Sequence, residues 1–362
     1  MKEKLSLYTS RRITIFFFAM IVMLLFITTA NCADSKKNNS CLTFKKDLFY
    51  VSKKLSAITN IVYHKSKEGG QVFIFGQKRL QVVDFKTKKL IDDIQLDWPT
   101  GLLRPDLIFS GDHYKIASRG PVSKLGIMNN KGKIEWMFNP GPSVLTNTMC
   151  YGDLNNDKEN EYYVSTNDGV FQLNKDGKVI WKRERPSRDV ELLQLGKETL
   201  IASVGTDRAI DCYDYSGFLK KSIKTNIELY DIELINWQDT SYIVTYSGSN
   251  IIILDNNGEK IVSRDLQSNI YMLRATMVYL DGTKEPYLTI LARLSSTIGK
   301  SIFCFISREG DILYKELINV SQGIAIIGDN SLGGKVILVG DGIGTIYKYS
   351  LINSIRVKEG KR

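Results

Sequence analysis

The chain has 362 residues, carries 49 basic and 39 acidic side chains for a net charge of +10, and is 43% hydrophobic, 10% aromatic and 24% charged. Those proportions are those of an ordinary folded protein: they exclude a disordered chain, a collagen and a disulfide-dense mini-protein, and a single long apolar run excludes a polytopic membrane protein. The length accommodates one large β domain or two to three average ones.

The first 33 residues stand apart from the fold. A basic segment ending in Arg11 and Arg12 leads into an apolar run from Ile13 to Ile27 and then the small residues Thr28, Thr29 and Ala30, the pattern of an export signal. Three endings are open: cleavage after Ala30 or near Ala33, lipidation at Cys32, or retention as an anchor, since Ile13–Ala30 is near the lower limit for spanning a bilayer. Cys32 follows Thr29, Ala30 and Asn31, which resembles a bacterial lipoprotein box with Asn31 where Gly or Ala is usual. Removal of residues 1–33 takes away Lys2, Lys4, Arg11, Arg12 and Glu3 and leaves a net charge of +7. The expected location is therefore extracytoplasmic, either secreted or held at a cell envelope or membrane, with membrane contact only through the N-terminal segment or a lipid on Cys32. The lysines are scattered over turns instead of gathered in a block, which argues against a nucleic-acid partner.

Residues 34–45, beginning DSKKNNSC, read as a polar flexible tether, and KDLFYVSK at 46–53 as a spare strand. From there the strongest signal is repetition. Alternating apolar segments run into a glycine-bearing turn and out into a second strand in LGIMNNKGKIEWMF, VFQLNKDGKVIWKR, AIDCYDYSGFLKKS, IIILDNNGEKIVSR and IFCFISREGDILYK, turning at Gly132, Gly177, Gly217, Gly258 and Gly310. Two weaker copies bracket them, turning near Lys88 and Asn353. Each is a hairpin signature, with glycine relieving a positive-φ position. Ahead of each hairpin lie two further short β-rich runs, such as NIVYH and QVFIF. Four short strands per unit make one blade of a propeller, and a blade cannot bury its apolar faces alone, so the units must stack around an axis. The predicted fold is all-β: a seven-bladed β-propeller of four-stranded blades filling residues 46–362, with the spare N-terminal strand pairing to the last blade and closing the ring.

The third unit, GDLNNDKENEYYVSTNDGVFQLNKDGKVIWKRE, resembles a repeat of the FG-GAP or VCBS propeller family, in which an Asp-rich loop of the form DxNxDGxxD precedes a strand, a glycine turn and a hairpin bearing tryptophan. The hairpin halves also resemble the quinoprotein-type repeat. The resemblance covers most of the chain as repeat shape and one unit as loop chemistry. Asp153, Asn155, Asp157, Glu159 and Glu161 occupy alternate positions of that loop. Such oxygen donors suit calcium, with Asp153, Asn155 and Asp157 folding inward and position 7 offering its backbone carbonyl. Lys158 replaces the usual Gly, Glu161 replaces Asp, and Val164 stands where an EF-hand has its bidentate Glu; strain or a looser loop is expected. The alternative is a metal-free acidic turn. A calcium ion here would be structural.

Trp136 and Trp181 lie four residues past their turn glycines, as does Tyr314, positions that pack between blades in the resembled family. Trp98 and Trp237 fall in connections between repeats and are the candidates for an exposed ligand platform. Cys41, Cys150, Cys212 and Cys304 form no CxxC pair, and His64 and His113 are the only histidines, so a zinc site, a redox motif and histidine-based catalysis are not expected. No nucleophile elbow, HExxH or phosphate-binding glycine loop occurs. The function expected is a non-enzymatic binding or scaffold propeller with a protein or polysaccharide partner. The alternatives are a calcium-assisted polysaccharide lyase or hydrolase of the cell envelope, and an envelope-assembly propeller lipoprotein.

Overall fold

A computed structural model describes residues 40–356 except short stretches at 56, 67–68, 100–104, 111–112, 120–122, 196–197, 238–239, 280–285, 296–299, 320–323 and 330–333. The signal or anchor segment 1–33, with Cys32, lies outside the described residues. Twenty-eight strands form seven four-stranded antiparallel sheets, the blades of a β-propeller. Blades 1 to 6 are built from consecutive strands over residues 60–95, 106–138, 146–183, 187–224, 233–265 and 270–319.

Blade 7 takes three strands from the C-terminus, Ile324–Asp329, Gly334–Gly340 and Thr345–Arg356, and its fourth and outermost from the N-terminus, Ser40–Val51. The ring is thus closed as the spare strand implied. Two boundaries differ from expectation. The closing strand begins at Ser40, so residues 40–45, read as part of a tether, are strand; Ser40 pairs with Arg356 and Lys45 with Ser350. There is also no hairpin turn at Asn353, because Thr345–Arg356 runs unbroken beside the N-terminal strand, with two register shifts, one where Thr43 faces Asn353 and Phe44 faces Leu351 and one between Leu48 and Tyr50. Both follow from one cause: the N-terminal strand is the fourth strand of the blade, so the C-terminal segment continues as its partner instead of folding back. An eleven-pair register satisfies far more backbone than a short hairpin would.

The hydrophobic core is distributed. Among the described residues there are seven apolar clusters, and each straddles one contact between adjacent blades. Between blades 2 and 3, for example, Ile108, Ile127 and Phe138 pack on Tyr162, Val164 and Phe171. A blade sandwiched on both faces needs apolar residues on both sides of its middle strands. Glu161–Thr166, Gly169–Leu173 and Ala209–Tyr213 are accordingly buried at every position, whereas the outer strands keep exposed positions, as in Ile134–Phe138 and Val179–Arg183.

The turn glycines have a second task. Gly132, Gly177, Gly217, Gly258 and Gly310 all have positive φ, from 76 to 86°, and the first strand of each hairpin ends where this turn rests on the preceding blade. A Cβ on Gly177 would stand 2.5 Å from the Trp136 ring, and one on Gly217 2.9 Å from Trp181. Trp136 also meets Tyr162 edge-on at 5.1 Å, and Trp181 lies 6.3 Å from Tyr163 and Tyr213. Both tryptophans are inter-blade packing groups.

Ring closure is reinforced by a polar clasp. Glu316, on the outer strand of blade 6, accepts hydrogen bonds from Tyr314 Oη (2.7 Å) and Tyr349 Oη (2.8 Å) and pairs with Lys46 Nζ of the closing strand at 2.6 Å; Lys46 lies 4.2 Å from the Tyr347 ring centroid. Glu316→Gln should lower stability by about 1–2 kcal/mol in denaturant unfolding, since the groups are part-buried and part-screened. Gly177→Ala, which combines positive-φ strain with a clash against Trp136, should cost about 1–3 kcal/mol by the same measurement.

Candidate functional site

The acidic loop joins the innermost strand of blade 3, Thr146–Gly152, to its neighbour Glu161–Thr166. It is a dense set of short-range bonds. Asp153 accepts from the amides of Asp157 (3.1 Å) and Lys158 (2.8 Å), Asn155 Oδ1 from that of Asp157 (2.9 Å), and Asp157 from that of Glu159 (2.8 Å). Asn156 and Lys158 have φ of 63° and 71°, so the left-handed conformation that glycine would take at position 6 is imposed on a lysine, as its replacement implied.

The five predicted ligands divide. Asp153, Asn155, Asp157 and Glu161 are brought together, with Asn155 Nδ2 donating to Asp157 Oδ2 (2.9 Å) and Glu161 Oε1 (2.8 Å). Glu159 points away and pairs with Lys175 at 2.7 Å, which leaves its backbone carbonyl as the only contribution it could make. The Asn155 amide nitrogen thus stands between two carboxylates, the place a cation would take, and a half-turn of that amide would present Oδ1 instead. Glu161 is buried at 5% exposure. Burial raises its pKa above the ordinary carboxylate range; the Leu154 amide opposes this, and Asp157 and Asp153 add to it. The donor chemistry fits a hard cation. Among the described residues no group of three His, Cys, Asp or Glu side chains is arranged as a metal site.

The proposed platform is corrected at one of its two positions. Trp98 is 6% exposed and packs between blades 1 and 2; a Cβ on Gly126 would fall within 3 Å of its ring. The connection carrying it dips inward because an indole contributes more as inter-blade filling than on the surface. Trp237 ends the strand Glu233–Trp237 opposite Thr240, and its side chain lies outside the described residues. Cys150, Cys212 and Cys304 are buried free thiols; burial raises all three, Cys212 to about 11 and Cys304 to about 12, so they pack and do not react.

The arrangement that sequence reasoning missed is the central cavity, of about 400 Å³. Its wall is formed by the innermost strands and carries Asp106, Asp189, Glu191, Asp231 and Arg274. These charges also hold blades together. Asp189 Oδ2 accepts from Ile232 N of the next blade (2.7 Å), Asp231 Oδ2 from Leu273 N (3.3 Å), and Thr148 Oγ1 from Val190 N (2.9 Å); Asn60 Nδ2 donates to Pro105 O (2.8 Å). Arg274 pairs with Glu233 at 3.4 Å. Burial lowers its pKa, while Asp231, Asp189, Glu191 and Asp106 pull it back up. The signal was present in the sequence: Asn60-Ile61, Asp106-Leu107, Asp189-Val190 and Asp231-Ile232 recur at or just ahead of the start of the innermost strand. A second cleft, of about 360 Å³, lies between blades 2 and 3 beside the acidic loop and is bordered by His113, Glu135, Lys158 and Lys175.

No family model matches the chain, and no curated relative does. Solved structures share the architecture. The protein in "Crystal structure of BBS1N in complex with ARL6DN, soaked with mercury" aligns over 87% of this chain and 98% of its own at 13% identity and a TM-score of 0.60, and the lead-soaked form over 89% and 100% at 11% and 0.57. BamB from Moraxella catarrhalis aligns over 84% of both chains at 12% identity and a TM-score of 0.50. At these identities the likeness is one of fold: a seven-bladed β-propeller.

The loop generates a test with a definite sign. A folded-state pKa raised above the unfolded one favours folding below the unfolded pKa and loses that contribution as pH rises through the folded value. In chelator, Glu161→Gln should therefore be at least as stable as the parent at neutral pH, the difference closing as pH falls into the carboxylate range. With calcium at about 100 times Kd the parent should gain about 2.7 kcal/mol, and Asp153→Ala/Asp157→Ala should gain nothing. Thermal unfolding checks both.

Proposed function

We propose that the protein is an exported, non-catalytic scaffold that binds a protein partner through the loops at the ends of its propeller, with a structural calcium ion in the blade 3 loop. The observation that carries this is the use made of the channel wall. Asp189 and Asp231 accept main-chain hydrogen bonds from the following blade, so the inner polar groups brace the ring and its end loops are left to vary. The propeller of similar fold that is described in complex with ARL6DN supports a protein partner over a polysaccharide. The apolar run Ile13–Ile27, with Cys32 shortly beyond it, supports export with retention at a membrane. The Asp153–Glu161 loop and the hairpins with Trp136 and Trp181 support an FG-GAP or VCBS-type ancestry.

A second reading rests on one observation: four carboxylates, Asp106, Asp189, Glu191 and Asp231, border one cavity, as a polysaccharide lyase or hydrolase would require. The engagement of Asp106, Asp189 and Asp231 with backbone amides weighs against it. The two readings separate in one experiment. The tagged full chain, cross-linked in its native cells, should yield a defined protein partner with cross-links at the end loops, and Asp106→Asn should leave that capture unchanged. Release of reducing ends from envelope polysaccharide, abolished by Asp106→Asn, would overturn the scaffold reading.

A further inference from the structure

Lys158 stands where the resembled loop has glycine, and it holds a φ of 71° that glycine would take without strain. A lysine is less stable than a glycine in that conformation. Its amide donates to Asp153 at 2.8 Å, a bond that glycine would make equally well, so the feature that needs a reason is the side chain. That side chain borders the cleft of about 360 Å³ between blades 2 and 3. The floor of the cleft is apolar and fixed. Ile108 and Tyr162 are buried, Tyr162 meets Trp136 edge-on at 5.1 Å, and Tyr114, half-buried, meets Phe73 edge-on at 5.0 Å. The rim is exposed and polar, with Ser110, His113 and Asn130 from blade 2 facing Lys158 and Asn160 from blade 3.

The charges that line the cleft cancel in pairs, with one exception. Lys115 pairs with Glu135 and Lys175 with Glu159, each at 2.7 Å. Lys158 is bonded among the described residues only through its amide, which leaves its ammonium for a ligand. Three further carboxylates act on the cleft without lining it. Asp157 accepts from Glu159 N and Asn155 Nδ2, Asp157 and Asp176 reach Lys175, and Asp92 reaches Tyr114. A ligand carrying one negative charge is matched by one ammonium, whereas a dianion between Glu135 and Glu159 is not. Burial pushes the Tyr114 and Tyr162 hydroxyls up to about 12, with Asp92 and Glu135 adding to the rise, so both keep their protons at neutral pH. Side-chain amides and hydroxyls donate and accept alike, as sugar hydroxyls do, and the volume falls within the range of small-molecule sites, about 300–1,000 Å³.

We propose that the cleft between blades 2 and 3 is a binding site for a single sugar-acid unit, a pyranose bearing one carboxylate, with Lys158 as the residue that takes the carboxylate. The sugar ring lies on the floor of Ile108, Tyr114 and Tyr162, and its hydroxyls meet Ser110, Asn130 and Asn160. The assignment goes beyond the scaffold reading and does not rest on it. It also accounts for the lysine at a glycine position: the loop gives up conformational ease at Lys158 to carry an ammonium to the edge of the cleft.

The probe is methyl glucuronide, titrated into the full chain by calorimetry in the presence of chelator, so that no ion in the neighbouring loop bridges to it. Methyl glucoside, glucose 6-phosphate and acetate are the comparators: the same ring without charge, with a dianion, and the carboxylate without a ring. The glucuronide should bind at least about tenfold more tightly than any of them, the difference made by one charge-assisted bond. Lys158→Gly should weaken glucuronide binding by about the same factor without lowering the melting temperature, since glycine suits the backbone there, and Lys158→Arg should keep it. Tyr114→Phe, which leaves the ring packed on Phe73, should also weaken it. Equal binding of the glucoside, tighter binding of the phosphate, glucuronide binding that survives Lys158→Gly, or no heat at millimolar glucuronide would overturn the assignment.

Discussion

Every blade of this molecule is apolar on both faces, and everything else in the structure depends on that constraint. A sheet with two apolar faces has no stable solution except between two others, and a row of such sheets has exposed faces at its ends unless it bends into a ring. The seven clusters that lie between blades are the direct expression of this, and the Ser40–Val51 strand, paired with Thr345–Arg356, is what makes the ring continuous. Because the closing strand comes from the opposite end of the chain, the last blade completes only when both termini are in place. The Lys46–Glu316 pair and the two tyrosine hydroxyls on Glu316 fasten that strand to blade 6 as well.

Polar residues near the axis perform the same task by other means. Thr148 and Asp189 bind main-chain amides of blades 4 and 5, and Asp231 binds that of Leu273 in blade 6. Such bonds satisfy backbone groups that the ring would otherwise bury unpaired. The carboxylates of Asp189 and Asp231 thereby tie neighbouring blades together at the axis.

The blade 3 loop shows how a sequence pattern and its geometry can diverge in detail. The spacing of Asp153, Asn155, Asp157 and Glu161 does bring four side chains together, because alternate residues of a tight loop project to one side. Glu159 leaves the group because Lys175, on the next hairpin of the same blade, offers it a full charge at 2.7 Å. Lys158 takes the positive φ that a glycine would take without strain. The loop is thus held by its own side chains, with Asn155 Nδ2 donating to the Asp157 and Glu161 carboxylates.

The sequence by itself determined the fold class, the number of blades, the hairpin turns at Gly132 through Gly310 and the origin of the closing strand, because these rest on local properties: the two-residue period of a strand and the φ freedom of glycine. That Trp136 and Trp181 pack between blades was implied by the resemblance of their hairpins to a known repeat, and the structure places both there. Only the tertiary structure decided that the last hairpin does not exist, that Trp98 is filling and not a platform, and that Asp106, Asp189 and Asp231 of blades 2, 4 and 5 line one cavity. Those outcomes depend on which segments meet across the circle. Asp106 and Asp231 are separated by more than a hundred residues and line one cavity only because seven similar units close on an axis, a relation that no local pattern encodes.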